Sequence, residues 1–92
     1  MMTSSPLLIP PDEVLDIKTA SHRVKRSVDQ VRRWHKEHGI GRQAGPNAPI
    51  EISAPALCMV QHGDFSALDE LKAGHRDSDR VVRYLDFLGL PR

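Results

Sequence analysis

The segment from Ser27 to Gly39 constrains this chain more than any other part of it, because it reads as one amphipathic helix with both ends marked. The Ser27 hydroxyl is placed to accept a hydrogen bond from an amide of the first turn, as a helix cap does. Val28, Val31 and Trp34 recur at three-residue steps and form an apolar stripe, with Trp34 expected as its core anchor. Gln30, Arg32, Arg33 and Lys36 point elsewhere. Asp29 in the first turn and Lys36 in the last complement the helix dipole, and Gly39 stops the helix just past its end. The spacing predicts this longer helix over residues 27–38. A shorter one precedes it over 18–24, with Ala20 and Val24 on one face, and Lys25-Arg26 makes the tight connection.

Beyond Gly39, two short apolar pieces flank the Gly/Pro/Asn-rich centre of residues 40–52, the pattern of a hairpin with a long loop. Pro49 lacks an amide donor, which predicts that the returning strand is an edge. Residues 53–92 read as packing helices capped by Ser53, Asp64 and Asp77 or Ser78, with Val81, Val82, Leu85 and Leu88 expected on a buried face. The fold class is therefore mainly α with a small β-hairpin. In detail it is a winged helix-turn-helix followed by C-terminal packing helices. Residues 1–11 are expected to be a flexible N-terminal segment and residues 12–92 a single domain.

Charge is distributed unevenly. Residues 18–42 carry eight Lys and Arg against Asp29 and Glu37, whereas the whole chain has a net charge of only +1. A basic segment in a near-neutral chain is the footprint of a nucleic-acid site, the plainer alternative being a solvated helical face. No apolar run approaches the ~20 residues of a membrane span. The start of the chain lacks the basic residues of a secretory signal, and the lone Cys58 cannot form an internal disulfide. These features predict a cytoplasmic, nucleoid-associated protein. His35 with His38 and Cys58 with His62 have ligand-like spacings, but they fall on different elements and no CxxC is present, so no metal and no cofactor is expected. Neither a Gly-rich phosphate loop nor a nucleophile motif is present, and no enzyme activity is expected.

A helix fits the major groove of B-form DNA, where base edges display a distinctive donor and acceptor pattern. The preceding helix and its turn set register on the phosphates. On this reading Gln30, Arg32 and Arg33 are the base readers. Arg23, Lys25, Arg26, Ser27 and Lys36 meet the backbone, and Arg42 with Gln43 forms the wing contact in an adjacent minor groove.

These residues also carry a family likeness. Residues 17–24 (IKTASHRV), 27–34 (SVDQVRRW) and 39–42 (GIGR) resemble the winged helix of the MerR superfamily, and in particular the small excisionases or recombination directionality factors. Val31, Arg32 and Trp34 match the family's Val-Arg-x-Trp type helix, and the likeness covers roughly residues 14–60. The continuation through Ile52–Leu57, Gly63-Asp64 and Ala67-Leu68 is similar to the RdfS-like excisionases of integrative and conjugative elements. The resemblance implies a protein that binds double-stranded DNA as several adjacent copies and bends an attachment site. Such a protein directs a tyrosine recombinase toward excision. Residues 64–92 are the candidate surface for head-to-tail self-association. A small MerR-like transcriptional regulator, bound at a promoter, is the alternative.

Overall fold

The computed structural model describes residues 7–91. Their order is a 3-10 turn (Pro11–Glu13), β1 (Val14–Asp16), α1 (Ile17–Val24), α2 (Val28–His38), β2 (Gly41–Arg42), β3 (Glu51–Ser53), α3 (Ala54–Gln61), α4 (Phe65–Lys72) and α5 (Asp79–Phe87). The chain is thus mainly helical with a small antiparallel sheet.

Each helix begins where a short polar side chain satisfies a first-turn amide. Asp16 accepts from Thr19 at 2.7 Å, Ser27 from Gln30 at 3.0 Å, Ser53 from Ala56 at 3.2 Å, Asp64 from Ala67 at 3.1 Å and Ser78 from Val81 at 3.3 Å. Between α1 and α2 the backbone turns through Lys25, which adopts a left-handed φ of 55°. The Lys25 amide donates to His22 O and the Arg26 amide to Ser21 O, so two of the carbonyls of the last turn are satisfied. Gly39 closes α2 with a φ of 66°.

The sheet has the strand order β1-β3-β2. The hairpin strands pair Gly41 with Ile52 and Arg42 with Glu51, and β1 adds Leu15 opposite Ile52. A Cβ on Gly41 would run into the Glu51 carbonyl, so the close approach of β2 to β3 requires glycine there. Two expectations change at this sheet. The returning strand is central rather than an edge, because Pro49 lies in the loop before β3 and removes no ladder donor. The expected two-stranded hairpin is also joined by a third strand, β1, from the segment before α1.

α3 is the hub. Every residue from Ala54 to Val60 is buried, as a helix apolar on all sides must be. α1, α4 and α5 pack around it, with Val31, Ile40, Ile52, Leu57, Met59, Val81 and Leu85 nearly sealed from solvent. The core is aliphatic. Trp34 and Tyr84 are only half-buried and pack against its edge, while Phe65 and Phe87 are exposed. Trp34 is therefore a flank of the core rather than its anchor. Three residues beyond Val31, it leaves α2 about 60° to one side of that buried side chain.

The expected flexible segment over 1–11 is corrected in part. Residues 1–6 lie outside the described residues, but Leu7 and Ile9 are 7% and 6% exposed and belong to the core. Glu13 follows them into the interior, where Arg76 from the α4–α5 connection donates to its carboxylate. Within residues 64–92, Ala67, Leu68, Leu71, Val81 and Leu85 complete the core, Val82 is half-buried, and Phe87 faces solvent.

Candidate nucleic-acid interface

The candidate site lies on α1, the Lys25 turn and α2, and it follows from how α2 is seated. Val31 is fully buried, so α2 is oriented by that side chain. At about 100° per residue, the face opposite Val31 carries Asp29, Arg33 and Lys36, and all three are exposed. Gln30 lies on one flank, half-buried, and Arg32 on the other, exposed. Arg23, Lys25 and Arg26, at the end of α1 and in the turn, are exposed as well. The fold thus gathers six of the eight cations of residues 18–42 onto the α1–turn–α2 surface; Lys18, in the first turn of α1, is a seventh.

Several predicted contacts have partners inside the chain. Ser27 Oγ accepts the Gln30 amide, so the hydroxyl caps α2. Arg32 Nη1 meets Asp29 Oδ1 at 3.2 Å, with the two side chains 56% and 87% exposed, a pair that contributes ~0–1 kcal/mol. Arg42 Nε donates to Glu51 Oε1 at 2.8 Å across the hairpin, and its Nη1 donates to the Ile9 carbonyl at 3.4 Å. Gln43 Nε2 donates to Ala48 O at 2.9 Å and to Pro46 O at 3.4 Å, tying the loop shut. The two side chains assigned to the wing contact therefore hold the hairpin together. Glu51, paired with Asp16 across β1 and β3, has Arg42 as its cation.

The far end of α2 is fixed from below. Lys72 of α4 donates to the His38 carbonyl, so a cation sits at the negative end of the helix. The His38 ring lies 4.8 Å from that of Phe65. His35 is half-buried, and its Nδ1 is sealed from solvent without a hydrogen-bond partner. Burial lowers the His35 pKa from its ordinary value. His35 and His38 thus face α2's packing side.

Among the described residues, no three His, Cys, Asp or Glu side chains converge as a metal-binding group. Cys58 is buried in α3 with its Sγ 3.7 Å from His62 Nδ1, and burial raises the thiol pKa, as in an inert core thiol. Among the described residues, no helix is long and apolar enough to cross a membrane.

Two residues that sequence spacing had not assigned belong to this surface. Asp29 shares the outward face of α2 with Arg33 and Lys36, a pattern readable as i, i+4, i+7. Lys18 stands in the first turn of α1, beside the hairpin loop and Arg32. No sequence signal placed it there, since the loop folds back onto α1 only in three dimensions. No protein-family model, curated protein or solved structure matches the chain.

Proposed function

We propose that this chain is a sequence-specific double-stranded DNA-binding protein of the winged helix-turn-helix class, with α2 as its reading helix. The observation that supports this reading most is the exposed cationic surface carried by α1, the Lys25 turn and α2, beside a two-stranded hairpin. α2 enters the major groove with Arg33 outermost, where a guanidinium recognises guanine bidentately, and with Gln30 on its flank. Arg23, Lys25, Arg26 and Lys36 meet phosphates and fix the register. The hairpin acts as the wing through its loop backbone, with Arg42 and Gln43 bracing it.

Within that class, we assign the role of an excisionase that binds and bends attachment-site DNA to direct a tyrosine recombinase toward excision. This assignment rests on the resemblance of residues 14–60. Phe87, 72% exposed at the end of α5 and edge-on to His62, is more exposed than Phe65 and is the apolar group around which neighbouring copies would associate.

The test is a gel-shift titration of the purified protein. It uses genomic fragments around its own gene and the nearest integrase gene, at two salt concentrations with competitor DNA. A ladder of salt-sensitive, competitor-resistant complexes on an attachment region supports the excisionase. A single complex at a promoter replaces it with a transcriptional regulator, and no specific complex at either salt removes the DNA-binding reading.

A further inference from the structure

A groove of about 330 Å³ lies between the first turn of α1 and the hairpin loop, with Arg32 of α2 also lining it. Lys18 and Arg32 supply its cations. Ala48, Pro49 and Ile50 form the opposite wall, which the Gln43 amide fixes through its bonds to the Ala48 and Pro46 carbonyls. Asp16 also lines the groove; its carboxylate accepts the Thr19 amide, and its pKa is lowered chiefly by Thr19 and further by Lys18. The volume is at the lower limit for small-molecule pockets, ~300–1,000 Å³, and the groove is open at the surface. It suits a narrow anionic strand rather than an enclosed ligand.

We propose that one sugar–phosphate strand of the duplex runs through this groove, held by Lys18 and Arg32 between α2 and the hairpin loop. The inference rests on the DNA-binding reading and divides labour within it. Arg33, on the outward face of α2, reads bases. Arg32, one residue and about 100° away, turns to the groove and positions the backbone. Lys18 becomes a contact that no spacing in the sequence indicated. Asp29, at 3.2 Å from Arg32, moderates that cation in the free protein and limits binding to random DNA.

The measurement is affinity for a selected genomic fragment and for a random-sequence duplex of equal length, across a salt series. It compares the wild type with Lys18→Gln, Arg32→Gln, Lys18→Arg and Asp29→Asn. Lys18→Gln and Arg32→Gln should weaken both duplexes by the same factor. Each should also reduce the slope of log K against log salt by about 0.9, the value for one lost phosphate contact. Lys18→Arg keeps the charge and should keep the slope, and Asp29→Asn should tighten random-duplex binding. An unchanged slope in Lys18→Gln, or a loss in Arg32→Gln confined to the selected fragment, overturns the groove assignment while DNA binding stands. A wild type that binds neither duplex in a salt-dependent way overturns the DNA-binding reading itself.

Discussion

Arg33 and Arg42 are both exposed arginines in the basic segment, and their surroundings separate their roles. Arg33 lies on the outward face of α2 opposite the buried Val31, whereas the Arg42 guanidinium is held by Glu51 and the Ile9 carbonyl. Arg33→Ala should weaken specific binding by ~1–3 kcal/mol and relax the preference for one base. Equal losses on specific and random duplexes would instead make it a phosphate contact. Arg42→Ala should lower DNA affinity far less than Arg33→Ala, only through a looser wing, and reduce stability by ~0.2–1 kcal/mol, the range of an exposed pair. A clear loss of affinity in Arg42→Ala would return that side chain to the interface. Trp34, half-buried at the edge of the aliphatic core, should cost roughly half of the ~3–5 kcal/mol of a fully buried aromatic when replaced by Ala. Denaturant midpoints check both stability values.

At the scale of the element, α2 is a rigid presenter whose two ends are held by different means. Its start needs only Ser27, its immediate neighbour in sequence. Its end needs Gly39 in the left-handed region and Lys72 from α4 on the His38 carbonyl. The buried, unpartnered Nδ1 of His35 makes the helix acid-sensitive. Burial lowers the folded-state pKa of His35, so above the ordinary imidazole value of ~6.5 both states are neutral and nothing is lost. As pH falls through that value the unfolded chain takes up a proton that the folded chain resists, and stability declines. His35→Phe should flatten the stability curve from pH ~6.5 downward and cost nothing at neutral pH. Urea midpoints across that range decide it, and an unchanged slope would place the acid response elsewhere. Asp16, Asp64 and Glu70, all with lowered pKa values, stabilise the fold above the ordinary carboxylate range near ~4 and lose that contribution only as pH falls below it.

At the scale of the molecule, long-range contacts tie the first described residues to the last helices. Leu7 and Ile9 fill the core, and Glu13 is buried with Arg76, 63 residues away, as its cation. Removing one partner of a fully buried pair costs ~3–5 kcal/mol, and the partly exposed Arg76 reduces the expectation for Arg76→Met to ~1–3 kcal/mol. Adding Glu13→Gln should recover part of that loss. An unchanged denaturation midpoint in Arg76→Met would mean the pair does not anchor the N-terminal segment.

Sequence alone determined the elements whose signals are local. The caps at Ser27, Ser53 and Asp64 and the stop at Gly39 depend on residues no more than four apart, and the last cap was narrowed to Asp77 or Ser78, so each helix was legible with its basic or apolar face. The Gly/Pro/Asn loop likewise announced the hairpin. What the tertiary structure decided is everything carried by partners far apart in sequence: β1 pairing with β3, the core positions of Leu7 and Ile9, the Glu13–Arg76 pair, and Lys72 at the end of α2. It also decided which charged side chains are held within the chain. Periodicity gives the direction in which a side chain leaves its helix or strand. Whether Arg42 meets solvent or Glu51, and whether Lys18 stands alone or beside Arg32, depends on how distant segments pack.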